Sequence, residues 1–132
     1  MSGQPLGTSN QSTPLPCGTI VYRLILRNDG LNPETNRAQR AAFLRRDNEE
    51  GLSVFLRDKC DLHEAIGSMK KVRAVVTLHV GRMYDLGLSV VPDENDPRHA
   101  EILGVPLPSD DLSTALYLGG QLAGQSRPVW QR

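Results

Sequence analysis

Five short apolar segments, rich in β-branched residues, constrain the fold of this chain more than any other feature. Two of them, at 19–27 and 72–80, carry the strongest signal because valine, isoleucine and threonine favour strands. The other three are shorter and lie at 51–58, 88–91 and 99–103. The intervening segments are too uneven for regular βαβ units. This order predicts an α+β fold, a single compact domain with a mixed, mainly antiparallel sheet of about five strands and two or three helices on one side.

Helical signals occur in three places between and after these segments. Asp61 and Glu64 have the spacing of a capping box and predict a short helix. Apolar residues at helical spacing over 112–125 predict another, with Gly119-Gly120 weakening its centre. Residues 34–48 contain helix formers but few large apolar side chains. A short helix is preferred there to an arginine-rich loop, and both interpretations stay open.

The first 18 residues differ in composition from the rest of the chain. They are uncharged and rich in Ser, Thr, Gln, Asn, Gly and Pro, which predicts a disordered tail before a single globular domain at 19–132. They also lack the basic and apolar parts of a secretory signal. No apolar run approaches the roughly 18 residues of a membrane span. We therefore expect a cytoplasmic protein without a membrane partner.

The charges balance over the whole chain but not along it. The formal net charge is zero and aromatic residues make up 5% of the chain, so nucleic acid is an unlikely partner. Residues 23–46 carry six arginines against two carboxylates, whereas residues 85–111 carry seven carboxylates against Arg98 alone. One interpretation is two solvated surfaces. The other is a dipolar surface that binds a protein partner or a second copy of the chain.

The loop between the fourth and fifth predicted strands is polar and contains two prolines. Loops held between ordered elements commonly carry recognition, so its polar residues are candidate binding residues: Asp93, Glu94, Asp96, Arg98 and His99. The acidic residues lack the spacing of a calcium loop. A metal site that joins His99 to His79 is a weaker alternative to ordinary hydrogen bonding. No metal site is therefore predicted.

Arg23 is a charged residue in an otherwise apolar strand, so it needs a partner if it is buried. One interpretation is an ion pair with an acid of 93–101. The other is a clamp for phosphate or carboxylate, extended by Arg45 and Arg46, because a guanidinium fork matches both anions. Ser53 alternates with apolar residues of the second strand. It is interpreted as a small sheet residue rather than a nucleophile, because the sequence indicates no base beside it.

Familiar catalytic and cofactor motifs are absent from the sequence. It has no P-loop, no dinucleotide-binding glycine motif, no zinc-ligand spacing and no nucleophile elbow. The residues therefore indicate no cofactor.

Six short motifs, in this order, resemble a group of small uncharacterised bacterial proteins: YRLILR, AAFLRR, GLSVFL, VVTLHVG, LGLSVVPD and DPRHAEI. The resemblance covers Val21–Val105, and its specificity lies in the order of the motifs. Glu94 stands where the pattern favours a second proline. The resemblance implies no activity.

A weaker resemblance is to the ADP-ribosyltransferase-like fold, including the RES toxins, whose first strand also bears Tyr-Arg. That resemblance implies that Arg23 holds the pyrophosphate of NAD, assisted by Arg45 or Arg46. It further implies that Ser53 lines the nicotinamide pocket and that Glu101 is the catalytic acid. Likeness of fold does not by itself establish function.

We therefore expect a small cytoplasmic binding or accessory domain of bacterial type. It would act through protein–protein recognition, without catalysis, on another protein or on its own copy. One alternative is an NAD- or nucleotide-handling enzyme that uses Arg23, with Ser53 and Glu101 as further catalytic candidates. The other alternative is a self-associating structural protein.

Overall fold

The computed structural model describes residues 15–67 and 69–132. Within them the chain forms six strands and three α-helices. The strands are β1 (Ile20–Ile25), β2 (Leu52–Leu56), β3 (Ala74–His79), β4 (Ser89–Pro92), β5 (His99–Leu103) and β6 (Arg127–Gln131); the helices are α1 (Leu62–Ile66), α2 (Val80–Asp85) and α3 (Leu112–Gln125). The predicted α+β single domain is confirmed. The sixth strand comes from a C-terminal segment that carries no strand pattern in the sequence.

The six strands form one sheet in the order β4-β5-β2-β1-β3-β6, and every neighbouring pair is antiparallel. β1 pairs with β3 along all six of its residues. With β2 it pairs only through Val21 and Tyr22, which lie opposite Leu56 and Phe55. The other ends of β1 and β2 therefore separate within the sheet, and the candidate site lies beside this gap.

Both faces of the sheet are covered by helices, so the prediction of helices on one side is wrong. Alternate strand residues point to opposite faces, and β3 is buried on both, since Ala74, Val75 and Val76 are all enclosed. One face packs against Leu118 and Leu122 of α3. The opposite face packs against residues of α1, including the buried Ala65 and Ile66. Consecutive apolar residues in a central strand require a cover on each face.

Residues 34–48 form no α-helix; a 3-10 segment at Arg40–Phe43 is the only helical turn there. Asn32 Oδ1 accepts hydrogen bonds from the backbone N–H groups of Glu34 and Thr35, and Asn36 adopts a positive φ of 59°. These features make a tight turn, closed by a bridge between Leu31 and Ala38. Asn and Asp side chains commonly divert the backbone into turns in this way, and the helix formers nearby are too few to overcome it.

The start of α1 follows the sequence closely. The capping box of α1 is confirmed, because Asp61 Oδ1 accepts from the Glu64 N–H at 2.8 Å while Glu64 Oε1 accepts from the Asp61 N–H at 3.0 Å. α1 ends after one turn at Gly67, where φ is 58°. No helix in the described part of the chain is long and apolar enough to cross a membrane.

Most of the predicted disordered tail, residues 1–14, lies outside the described residues. Residues 15–18 belong to the same predicted tail and are attached to α2. Leu15 O accepts from the Tyr84 hydroxyl at 2.7 Å, and Cys17 O accepts from the Gly81 N–H at 3.0 Å. These contacts anchor the entry to β1.

Candidate functional site

The register of β2 and β5 brings Ser53 and His99 onto the same face of the sheet. Ser53 lies opposite Glu101, and Phe55 lies opposite His99. Ser53 and His99 are therefore diagonal neighbours, close enough for a long side chain to bridge the strands. The Ser53 Oγ is hydrogen-bonded to the His99 Nε2. The sequence-based interpretation that no base accompanies Ser53 is wrong, because its base comes from a strand 46 residues later.

Asp93 binds the other nitrogen of the same imidazole. Its Oδ2 lies 3.0 Å from His99 Nδ1, and its Oδ1 accepts from the Asn95 N–H at 2.8 Å. The Asp93 N–H donates to His99 O at 2.9 Å, which ties the carboxylate to the backbone of β5. The hairpin between β4 and β5 thus fixes both the position and the orientation of the carboxylate.

The two contacts define which nitrogen of His99 carries a proton. An ionised carboxylate only accepts hydrogen bonds, so the Nδ1–H donates to Asp93. In the neutral ring Nε2 then accepts the Ser53 hydroxyl proton. Ser53, His99 and Asp93 therefore form a chain in which the hydroxyl points at a base and the base points at a fixed anion.

The side chains of this hydrogen-bonded series are partly shielded from solvent. The His99 side chain is 18% exposed and that of Asp93 is 29% exposed. The Phe55 ring meets the imidazole edge to face, with centroids 5.6 Å apart. Partial exclusion of water strengthens each hydrogen bond of the chain while leaving an approach from solvent.

Arg23 occupies the gap between β1 and β2. Its Nε and Nη2 donate to Ala42 O at 3.1 and 2.9 Å, and its Nη1 donates to Ser53 O at 2.8 Å. Burial lowers the pKa of Arg23 to about 10, opposed by the attraction of Glu49, so the group stays charged at neutral pH. Among the described residues it forms no ion pair, and the predicted pairing with an acid of 93–101 is wrong. Its guanidinium contacts carbonyls on the α3 side of the sheet instead.

A cavity of about 230 Å³ opens beside Arg23. Ser53 and Phe55 of β2 form part of its wall, and Arg27 and Arg46 lie at other points of its lining. Neither His99 nor Asp93 lines it. Across the sheet the order is therefore cavity, Ser53, His99, Asp93.

The other two arginines of the predicted clamp, Arg45 and Arg46, lie in different places relative to the cavity. Arg46 is exposed and lines the cavity. Arg45 does not line it; its Nη1 donates to Glu50 O at 3.0 Å and its Nε is buried without a partner. The predicted clamp of Arg23, Arg45 and Arg46 is therefore not assembled around one cavity, because Arg23 and Arg46 line it and Arg45 does not.

The predicted recognition loop makes much of its polar contact with itself. Asp96 Oδ1 accepts from the Arg98 N–H at 3.0 Å and from its Nε at 3.2 Å. These bonds lower the pKa of the Asp96 carboxyl and raise that of the Arg98 guanidinium. Glu94 is exposed. The loop is thus a turn that presents Asp93 to His99, and Glu94 is its outward-facing acid.

Glu101 and His79 do not take part in the hydrogen-bonded series of Ser53, His99 and Asp93. Glu101 faces the same side as Ser53, but its carboxylate lies towards Gly51, where an added Cβ would come within 3.2 Å of Oε2, and it does not line the cavity. His79 ends β3, and β2 and β1 separate that strand from β5. The weaker alternative of a metal site on His79 and His99 is wrong for that reason. No cluster of three metal-ligating side chains occurs within 15–67 and 69–132.

Sequence reasoning named Ser53, Asp93 and His99 separately but did not join them. The sequence indicates partner binding for Asp93 and His99, and it indicates a sheet residue for Ser53, or a catalytic candidate in the NAD-handling alternative. The signal that joins them is the alternation of polar residues in two strands, which becomes informative only once β2 is known to pair with β5 in this register. Of the cavity residues, Arg27 belongs to the arginine-rich segment 23–46, whereas Glu49 carries no signal in the sequence.

Comparisons with models of known protein families, with curated proteins and with solved structures found no match.

Proposed function

We propose that this protein is a serine hydrolase that cleaves esters through an acyl-enzyme intermediate. The observation that carries the proposal is the continuous hydrogen-bonded chain from Ser53 Oγ through His99 to Asp93. Arrangements of this kind are recognised by geometry and by the roles of the groups, independently of the fold that carries them. Ser53 would be the nucleophile, His99 the base and Asp93 the residue that orients the base.

The reaction proceeds in two balanced halves. In the first, the Ser53 Oγ attacks the ester carbonyl carbon while its proton passes to His99 Nε2. The carbon–alkoxide bond breaks, and His99 returns the proton to the departing alcohol. In the second, water gives a proton to His99 and its oxygen attacks the acyl group on Ser53. The acid then leaves and Ser53 recovers its proton.

The position of Asp93 supports this assignment. The Asn95 N–H holds one oxygen of the Asp93 carboxylate, and the other oxygen accepts from His99 Nδ1. This contact keeps the proton of neutral His99 on Nδ1 and leaves Nε2 as the acceptor that a base needs. When His99 becomes an imidazolium, the carboxylate is already in place to stabilise the charge. Asp93→Asn removes that charge and offers a donor or an acceptor in either orientation, so it should disturb the tautomer without changing the shape of the site.

The first experiment measures hydrolysis of 4-nitrophenyl acetate by the full chain and labelling by a fluorophosphonate. We expect labelling at Ser53, found by peptide mass mapping. Ser53→Ala should abolish it, and His99→Gln should slow hydrolysis at least about 100-fold, the range of a lost general base. Matched controls are Ser89→Ala, an exposed serine of the same sheet, and His79→Gln, an exposed histidine at the end of β3.

The controls decide between catalysis at this site and incidental reactivity. If Ser89→Ala and His79→Gln retain wild-type rates while Ser53→Ala does not, the proposal is supported. If folded wild-type protein is not labelled, or hydrolyses the ester no faster than Ser53→Ala, the proposal is overturned.

The expectations drawn from sequence remain predictions. A partner-binding role for Glu94 and Arg98 predicts a salt-sensitive complex with another protein. An NAD-handling role predicts a thermal shift with NAD. That role requires Arg23, Ser53 and Glu101 to converge on one cavity. Arg23 and Ser53 line it but Glu101 does not, and three of the five donors on the Arg23 guanidinium are used within the fold.

A further inference from the structure

Resting on the proposed function, we infer that the cavity beside Ser53 binds a carboxylate on the acyl part of the substrate. The substrate class would then be esters of small dicarboxylic acids. Their second carboxylate would lie in the cavity, and the ester carbonyl would lie at Ser53.

The size of the cavity fits a fragment rather than a large ligand. Its volume of about 230 Å³ is below the roughly 300–1,000 Å³ of pockets that enclose drug-sized molecules. Ser53 forms part of its wall, so the inference requires only a short acyl chain between the bound carboxylate and the ester carbonyl. Leu24, Phe55 and Met69 contribute apolar surface to the lining. This surface suits the short carbon chain between the two carboxyl carbons.

The charges of the lining favour an anion. Three arginines line the cavity against two carboxylates, Asp29 and Glu49. Arg27 Nε lies 3.8 Å from Asp29 Oδ1, in an exposed ion pair that partly occupies this cation. Glu49 Oε1 accepts from the backbone N–H of Arg46 at 3.0 Å, while the Arg46 guanidinium takes part in no ion pair or hydrogen bond within the described residues. One cation of the lining is therefore available to a ligand.

Arg23 adds a second reason. It is a charged, partly buried guanidinium whose hydrogen bonds go to two neutral carbonyls. Three of its five N–H groups are used, which leaves two. The attraction of Glu49 offsets only part of the cost of burying this cation, because the pKa of Arg23 stays lowered, and an anion in the adjoining cavity would offset more of it. A carboxylate also matches the paired donors of a guanidinium.

The test compares two esters that differ in charge: mono-4-nitrophenyl glutarate and 4-nitrophenyl pentanoate. We expect wild-type kcat/KM to favour the glutarate ester by roughly 10- to 100-fold, as a charge-assisted hydrogen bond does, with the ratio falling at high salt. Arg46→Gln should remove most of this preference. Arg37→Gln is the matched control, since Arg37 is an exposed arginine of the same region that does not line the cavity.

Binding of glutarate itself, measured by calorimetry on wild type and on Ser53→Ala, separates the two proposals. Equal rates with both esters, or a preference that survives Arg46→Gln, would overturn the inference and leave the hydrolase proposal standing. Glutarate binding that is lost in Arg46→Gln, in a protein that hydrolyses neither ester, would support the anion site and overturn the hydrolase proposal.

Discussion

The contact between α3 and the Arg40–Phe43 segment gives a stability prediction from two neighbouring glycines. Gly119 is buried, and a Cβ added there would lie 3.1 Å from Arg40 O and 3.4 Å from Leu44 Cδ2. Gly120 is exposed, and an added Cβ would meet nothing within 4 Å. The sequence treats the pair alike, as two helix-weakening residues, whereas the structure makes Gly119 a close-approach position. Gly119→Ala and Gly120→Ala therefore form a matched pair.

The expected magnitudes follow from two opposing effects. Replacing glycine by alanine inside a helix stabilises it by about 0.8–1 kcal/mol, and both variants receive this gain. At Gly119 the neighbour is a backbone oxygen in a segment whose Ala42 O is held by two bonds from Arg23, so it yields poorly. Overpacking of this kind costs about 1–3 kcal/mol. Gly120→Ala should therefore be more stable than wild type, and Gly119→Ala less stable than Gly120→Ala by about 1–3 kcal/mol.

Urea and thermal unfolding followed by circular dichroism measure both variants against wild type. For a domain of this length a difference of 1 kcal/mol moves Tm by about 3–6 °C. We expect Gly120→Ala to melt above wild type, and Gly119→Ala to melt clearly below Gly120→Ala. Equal stabilisation of the two variants would refute the close approach of α3 to the Arg40–Phe43 segment. It would also remove the support that this packing gives to one wall of the cavity.

Three further predictions concern the core, the cysteines and the acidic loop. Leu122→Ala, at a fully buried position of α3, should lower the free energy of unfolding by about 2–5 kcal/mol in urea titrations, and a loss well under 1 kcal/mol would contradict this packing. A thiol-reactive dye should modify the exposed Cys17 quickly and the buried Cys60 slowly, because burial raises the pKa of the Cys60 thiol. The single fast phase should vanish in Cys17→Ser. Two fast phases in the wild-type protein would contradict the burial of Cys60. The hydrogen bond from Arg98 lowers the pKa of Asp96, so this interaction favours the folded state above the ordinary Asp range and is lost as pH falls through the lowered pKa. An NMR titration should show the Asp96 pKa rising in Arg98→Gln, and an unchanged titration would remove Arg98 as the cause.

The fold was largely predictable because its signals are local. The strands near 19–27 and 72–80 and the capping box at Asp61 are each encoded within a few residues, and each appears in the structure. β6 was missed because its residues are mostly exposed and include Pro128, which suits an edge strand. The segment at 34–48 was uncertain because its conformation depends on packing against α3. Propensity alone does not report such contacts.

The candidate site was less predictable because every part of it depends on pairing between distant strands. Ser53 and His99 meet only in one register of β2 and β5, and a shift by one residue would turn one of them to the opposite face. The polar loop between two predicted strands marks Asp93 and His99 as candidate binding residues, but the sequence does not show that the Asp93 carboxylate is hydrogen-bonded to the His99 imidazole. The role of Arg23 was also non-local, since its acceptors belong to two other segments.

The gap in the sheet connects the fold to the site. Continuing the register of Tyr22 and Phe55 would place Leu24 opposite Ser53, but the strands stop pairing there. The Arg23 guanidinium instead donates to Ser53 O, so a side chain replaces the neighbouring strand as the donor to that carbonyl. An isolated cation would be too costly at this depth, and its bonds to Ala42 O and Ser53 O reduce that cost without neutralising the charge. Because the Arg23 side chain, and not the backbone of β1, donates to Ser53 O, the space between the two strands stays open and forms the cavity. The cavity and the placement of Arg23 are therefore consequences of one break in strand pairing. For that reason a change at Arg23 should affect both the stability of the fold and binding in the cavity.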